Sequence, residues 1–228
     1  MIPWLEDYVE RLYRSLKLAD IEVDLHRKEF ISIIRELQEK NDLNNGAYKV
    51  IVSGGYSDNL ETAGSKANMV ILSLAWNRPE PETYSKGVGL ISETFVRPNP
   101  EIKTLYYFNT LRLQKKLRKY NAVDVMFHSR SISEASRANL FFVKGDQVIT
   151  PASDILKGIT RKRVLTLFPD IQVQDIDTDL LYDVDEIFMT STTRDVTPVV
   201  AVEGRKIGSG VPGPVTKEIQ STFFAKGW

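Results

Sequence analysis

Three short segments carry the residues that could do chemistry. Ser133-Glu134-Ala135-Ser136-Arg137-Ala138-Asn139-Leu140-Phe141 comes first, then Ile155-Leu156-Lys157-Gly158-Ile159-Thr160-Arg161, then Asp185-Glu186-Ile187-Phe188-Met189-Thr190-Ser191-Thr192-Thr193. Each joins a strand signal to a polar turn. Gly158-Ile159-Thr160 opens an expected helix, so free N–H groups, a hydroxyl and the positive end of the helix dipole converge where an anion can bind. Thr192 and Thr193 form a second hydroxyl cluster. Glu134 supplies a carboxylate, the group that stabilises a protonated ring nitrogen. The combination suits a cofactor with a phosphate at one end and a basic ring nitrogen at the other.

Composition removes several other chemistries. The chain has 228 residues, no cysteine and two histidines. Thiolate catalysis, disulfides and cysteine metal sites are therefore excluded. His26 and His128 are far apart in sequence, so a multi-histidine metal site is not expected, and no metal is. His26 reads as solvated at a helix start. His128 ends an expected strand and reads as a side chain with a local hydrogen bond, and neither sits in the nucleophile motif a hydrolase would need. Lys+Arg equals Asp+Glu at 30 each, without a basic stripe, so nucleic acid is not an expected partner. No apolar run reaches membrane-span length and no signal peptide is visible, so no membrane partner is expected and a cytoplasmic enzyme is.

The elements that must position these residues follow from periodicity. Leu5, Val9, Leu12 and Leu16 recur at helical spacing, as do Phe30, Ile33, Ile34 and Leu37, with Asp24 as expected N-cap of the second helix. Asn44-Asn45-Gly46 marks a stop. Residues 48–53 and 69–75 read as strands. Asn77-Arg78-Pro79-Glu80-Pro81 breaks the pattern and places a domain boundary, giving a small domain over 1–80 and a larger one over 81–228. In the second half, strands are expected at 89–95, 122–127, 139–143, 148–150, 186–189 and 199–202. Lys144-Gly145-Asp146-Gln147 should close a hairpin. Helices are expected at 104–119, carrying Leu105, Phe108, Leu111 and Leu117, and at 160–168 and 214–224. The mixture predicts an α+β protein with a largely antiparallel sheet.

The three segments, in this order, resemble the class IV aminotransferases, the fold-type IV enzymes that use pyridoxal 5'-phosphate (PLP). That family includes D-amino-acid and branched-chain aminotransferases and 4-amino-4-deoxychorismate lyases. The resemblance runs from about Leu5 to the C-terminus and is densest from Lys103 onward. It implies a two-domain fold, a small α+β N-terminal domain and a larger pseudo-barrel domain. It implies that Lys103, in Pro100-Glu101-Ile102-Lys103-Thr104-Leu105, forms the Schiff base and moves a proton between substrate and cofactor. Such a lysine is expected to be desolvated, which lowers its ammonium pKa. Glu134 would hold the ring nitrogen protonated. Leu156 would pack under the ring. Gly158, Ile159, Thr160 and Thr192 would hold the phosphate, with Arg11 as its cation. Backbone N–H groups at Thr192 and Thr193 would take the substrate carboxylate. The resemblance also implies a homodimer.

The chain departs from the family pattern in several places. Tyr8 stands where histidine is usual in the Arg11 motif. Phe108 takes the place of a tyrosine that touches the ring hydroxyl, with Tyr106 and Tyr107 both adjacent and either able to serve. Family members carry further strands, including a glycine-rich pocket segment, before the first helix. Here the chain starts almost at that helix, so those substrate contacts are expected to be missing unless Met1 is internal to a longer protein. In residues 53–61, Asn59 and Glu61 occupy the places of the arginine and histidine that trap a D-amino-acid carboxylate. A glutamate there would repel a carboxylate, although the stretch reads equally well as a structural loop. The expected activity is a PLP-dependent aminotransferase acting on an amino acid, L and not D-alanine, with a keto acid as second substrate. The alternatives are 4-amino-4-deoxychorismate lyase and a truncated PLP-binding protein without turnover.

Overall fold

The computed structural model describes residues 2–41, 46–57, 59, 61, 62, 64 and 66–227. Asn44 and Asn45 of the expected stop, and Asp58 and Leu60 of the segment 53–61, lie outside the described residues. The chain forms two compact units, Met1–Arg78 and Pro79–Trp228.

The first unit holds helices α1 (Leu5–Leu18) and α2 (Arg27–Asn41) and strands β1 (Gly46–Ser53) and β2 (Asn68–Ala75). The apolar stripe of α1 buries Val9 and Leu16 and meets Phe30 and Ile34 of α2. β1 and β2 pair antiparallel from Gly46↔Ala75 to Ser53↔Asn68. One face of that ribbon, with Tyr48, Val50, Met69 and Ile71, packs on the helices. Asp24 does not cap α2. The helix starts at Arg27, and Phe30 N–H donates to His26 O at 2.9 Å. The Tyr13 hydroxyl donates to Leu25 O and holds the incoming segment past Asp24. His26 is exposed, as its sequence context suggests.

The second unit runs α3 (Pro81–Lys86), β3 (Val88–Thr94), α4 (Phe108–Arg112), α5 (Gln114–Lys119), β4 (Ala122–His128), β5 (Ser131–Ala135), β6 (Ala138–Lys144), β7 (Gln147–Thr150), α6 (Ile159–Leu167), β8 (Gln172–Val173), β9 (Ile176–Asp177), a 3-10 turn (Thr178–Tyr182), β10 (Glu186–Ser191), β11 (Asp195–Val202), β12 (Arg205–Lys206) and α7 (Pro214–Gly227). Six of these strands close on themselves in the order β3-β4-β5-β6-β10-β11. β3 is parallel to both neighbours and the remaining rungs are antiparallel. Leu90, Met126, Leu140, Phe142, Ile187 and Met189 fill one face of this ring. Alternate residues point the other way, where Phe141 and Phe188 stack with centroids 4.6 Å apart. Gly145, at φ +57°, supports the turn between β6 and β7, a conformation glycine takes without strain. A barrel unit and a small α+β unit agree with the architecture the resemblance implies.

Three differences from the sequence reading have physical causes. The helix expected at 104–119 is two short helices interrupted at Leu113, and residues 103–107 are not helical. At about 100° per residue, a single straight helix would put Leu117 opposite Leu105, Phe108 and Leu111. The core takes Leu113 and Leu117, against Ile91, Val125 and Phe127. Leu105, Phe108 and Leu111 stay 57 %, 63 % and 57 % exposed. Next, Glu134 lies on a strand, β5, where no strand was expected. Its short alternation of Ser131, Ile132 and Ser133 gave little strand signal. Finally, β11 begins at Asp195 and passes through Pro198. That proline lies before Val199↔Val88, the first described pairing with β3, where a strand edge tolerates a missing donor.

Candidate active site

The site begins with a rung across three strands. Glu134 pairs with Asn139, and Asn139 pairs with Thr190. Residues opposite one another share a face of the sheet, so these three polar side chains stand together on it. All three are buried. A buried polar group must find a partner, and two of the three find theirs in the segment before α6. Glu134 Oε2 accepts the Leu156 N–H at 2.8 Å. Asn139 Nδ2 donates to Leu156 O at 2.7 Å, and Asn139 Oδ1 accepts the Gly158 N–H at 3.2 Å. The chain is thereby clamped on both sides of Lys157. Glycine at 158 follows from packing: a Cβ there would lie 2.2 Å from Asn139 Oδ1.

That clamp delivers the start of α6. Gly158 is its N-cap and supplies no side-chain capping bond. Ile159 and Thr160 form the first turn and are buried. The Thr160 hydroxyl is buried and has no hydrogen-bond partner among the described residues. A bare helix start beside an unpartnered hydroxyl is a donor set ready for an oxyanion, and a phosphate fits it. Thr190 Oγ1 is likewise buried without a partner among the described residues. Thr192 and Thr193 follow it, in the exposed turn between β10 and β11.

Glu134 Oε1 is held from another direction. Arg97 Nε donates to it at 2.7 Å, and the two side chains form a buried ion pair. Arg97 also donates to Ile102 O at 2.9 Å and to Pro100 O. Burial pushes the Glu134 carboxyl above the usual glutamate range. The Arg97 charge, the Leu156 N–H, the Arg97 hydrogen bond and the Lys103 charge pull the other way without cancelling it. Lys103 therefore acts electrostatically on Glu134. It is exposed in this chain and not buried as expected, because it sits on the irregular segment before α4 and not within a packed element.

The structure thus brings Glu134, Leu156 and Gly158 into one bonded cluster through Asn139, with Ile159 and Thr160 following in the first turn of α6 and Lys103 in electrostatic range. Arg11 lies on α1 of the first unit, its guanidinium 5.4 Å from the Tyr8 ring centroid. Tyr106 stacks on Phe95 at 6.4 Å, and Tyr107 carries the Arg137 guanidinium 5.1 Å from its ring centre. His128 Nδ1 is buried and has no hydrogen-bond partner among the described residues. Asn59 Oδ1 accepts from Ser57 Oγ at 2.8 Å and from the Glu61 and Thr62 N–H groups and the Thr62 hydroxyl at 3.0 Å. Its carbonyl end serves the loop. Sequence reasoning missed Arg97 and Thr190 and gave Asn139 no role. The only signal for Asn139 was its fixed distance after Glu134.

The amino-transferase class IV family matches residues 1–202, and the chain belongs to that family. The D-alanine aminotransferase of Bacillus licheniformis is 29 % identical over 229 residues, covering 96 % of this chain and 81 % of that protein. The Escherichia coli branched-chain amino acid aminotransferase superposes with a TM-score of 0.84 at 27 % identity, over 96 % of this chain and 78 % of the other. A second branched-chain amino acid aminotransferase, solved with pyridoxamine 5'-phosphate, has a TM-score of 0.87 at 26 % identity, over 97 % and 78 % of the two chains. A Legionella pneumophila structure assigned as a 4-amino-4-deoxychorismate lyase has a TM-score of 0.85 at 22 % identity, over 98 % and 85 % of the two chains, and so shares the fold. Among the described residues no helix is long and apolar enough to cross a membrane.

Proposed function

We propose that the protein is a PLP-dependent aminotransferase, moving an amino group from an amino acid to a keto acid. The observation that carries this reading is the buried Glu134 carboxylate, bonded through Leu156 to the segment that delivers the uncapped start of α6. One end of such a site suits a ring nitrogen and the other a phosphate, and the cofactor of the family's structural neighbour has both.

In this reading the α6 N–H groups at Ile159 and Thr160, the Thr160 hydroxyl, Thr192 and the Arg11 guanidinium hold the phosphate. Gly158 lets the backbone approach, and Leu156 lies under the ring. Glu134 keeps a proton on the ring nitrogen. Bound PLP supplies an aldehyde carbon for covalent attachment and a ring that accepts electrons. Lys103 gives the attaching amine and then, once released, carries a proton away from the substrate α-carbon. Thr192 and Thr193 present N–H groups to the substrate carboxylate. The reading includes two domains, over 1–80 and 81–228, and a homodimer in the cytoplasm.

Borohydride reduction followed by peptide mapping tests it. The cofactor should be fixed on the peptide containing Lys103, and labelling of another lysine would remove the assignment. Keto-acid-dependent amine transfer, measured beside pyruvate release from aminodeoxychorismate, separates a transferase from a lyase.

A further inference from the structure

We infer that Arg97 is a positioning residue that joins the Glu134 carboxylate and the backbone of Lys103 into one unit. The inference rests on the roles proposed above for Lys103 and Glu134. Three donors of one guanidinium serve three acceptors: Glu134 Oε1 at 2.7 Å, Ile102 O at 2.9 Å and Pro100 O. The carbonyl of Ile102 belongs to the peptide unit that begins Lys103. It also accepts the Thr104 N–H at 2.9 Å. That bond closes a three-residue turn with Lys103 at its apex. Just before it, the Ile102 N–H donates to Asn99 O at 2.9 Å, and Asn99 has φ +48°. Residues 97–104 contain no helix or strand. The loop is instead organised around Arg97, which is 9 % exposed.

The chemistry calls for an arginine. Its planar fork can satisfy a carboxylate and two carbonyls at once, whereas an ammonium is a compact point charge with three donors. Its charge is also permanent. The charged side chains acting on Glu134 are Arg97 and Lys103, and the Leu156 N–H adds a neutral donor. When covalently attached, the Lys103 nitrogen carries a charge only while it is protonated, so one of the two cations acting on Glu134 varies. Arg97 is the one that stays. It opposes throughout the burial that favours the protonated Glu134 carboxyl, while holding the lysine's backbone in place.

The test uses the full chain with PLP and compares Arg97→Met, Arg97→Lys, Glu134→Gln and the Arg97→Met/Glu134→Gln double variant. Borohydride labelling of the unaltered protein at Lys103 comes first, and its failure would strike the functional reading without reference to Arg97. With labelling in hand, Arg97→Met should lower kcat about 100-fold, the scale of a broken buried pair, with KM for the amino donor changed less than about 3-fold. The acid limb of its pH profile should move to higher pH, and the pH dependence of the cofactor's visible absorbance should move with it. In the Glu134→Gln background, Arg97→Met should leave that absorbance titration where Glu134→Gln alone puts it. Arg97→Lys should keep the position of the acid limb but lose about 10-fold in kcat, because a lysine cannot serve all three acceptors. An acid limb and absorbance titration unchanged in Arg97→Met, with only a lowered melting temperature, would make Arg97 a purely structural residue and overturn the inference. Should Arg97→Met fail to fold, Arg97→Lys decides alone, and unaltered kcat in it overturns the strap to Lys103.

Discussion

Glu134 and Asn139 face each other across β5 and β6, and both reach the same three-residue segment, one bonding Leu156 and the other Leu156 and Gly158. A hairpin rung thus fixes the relation between a carboxylate and a helix N-terminus. Those are the two features a ring nitrogen and a phosphate would need at a set separation.

Glu134→Gln should retain cofactor and lose about 100-fold or more in kcat, the scale on which a preorganised charge acts on a reaction. The amide cannot favour a protonated ring nitrogen as a carboxylate does, while the phosphate contacts are untouched. Near-normal turnover with bound cofactor would show that another group meets the ring.

The same residue gives a stability prediction for the protein without cofactor. Burial raises the folded-state pKa of Glu134 above its unfolded value. A group raised in this way contributes stability that is fully present below the unfolded pKa and is lost as pH rises through the folded pKa. Urea midpoints of the unaltered protein should therefore carry a decline that starts in the usual glutamate range and extends above it. In Glu134→Gln that component should be missing. Parallel pH dependences in the two proteins would contradict the burial argument.

Thr160→Val separates a binding hydroxyl from a structural one. The hydroxyl is buried and has no partner among the described residues, so its removal should leave the stability of the cofactor-free protein unchanged or slightly higher. PLP affinity should fall about 10-fold, as expected for a lost hydrogen bond to a charged group. A variant with weakened folding and unaltered PLP affinity would assign the hydroxyl to the fold.

Gly158→Ala tests the clamp itself. The new methyl would collide with Asn139 Oδ1, and relieving it must break the bond to the residue 158 N–H or shift the start of α6. A cost of about 1–3 kcal/mol in stability is expected from overpacking at a fixed backbone, together with weaker PLP binding. Adding Asn139→Ala should restore stability more than cofactor affinity. If the single variant binds PLP normally, the register of α6 does not matter to the phosphate.

Much of this was legible in the sequence because the barrel strands are buried and apolar, as at Leu140 to Val143, and because Gly158-Ile159-Thr160 has the composition of a helix start. The Glu134 motif was visible as a spacing, and that spacing is a hairpin register. Arg97 was not visible. It meets Glu134 across 37 residues of sequence, and no local pattern distinguishes an arginine that folds back from one that is solvated. The misread helix at 104–119 has a related cause. Its apolar residues serve two faces, and only the packed β3–β4 surface shows which face is covered.

A homodimer is the expected assembly. Leu105, Tyr106, Phe108 and Leu111 leave apolar side chains exposed around the segment that follows Lys103, and a two-fold partner is the commonest way for such a surface to be covered. Sedimentation at working concentration should give twice the mass of one chain. A fully active monomer would end the idea.

The amino donor should be an L-amino acid, not D-alanine. Asn59 stands where the resemblance puts the arginine of a D-carboxylate trap. Its side-chain oxygen is committed to Ser57, Glu61 and Thr62, so it shapes a loop. Glu61 stands in place of the trap's histidine and carries a charge that repels a carboxylate. The D-alanine aminotransferase at 29 % identity shows that the fold supports that activity elsewhere. Here the two trap residues are replaced by one loop-building amide and one anion. A panel of L- and D-amino acids with a common keto acid should show L-donors preferred by about 10-fold or more in kcat/KM, the discrimination expected when a carboxylate loses its charged partner. The Asn59→Arg/Glu61→His double variant should gain D-alanine activity relative to the unaltered protein. Preference for D-alanine in the unaltered protein would mean that the carboxylate is held by groups other than those aligned with the trap.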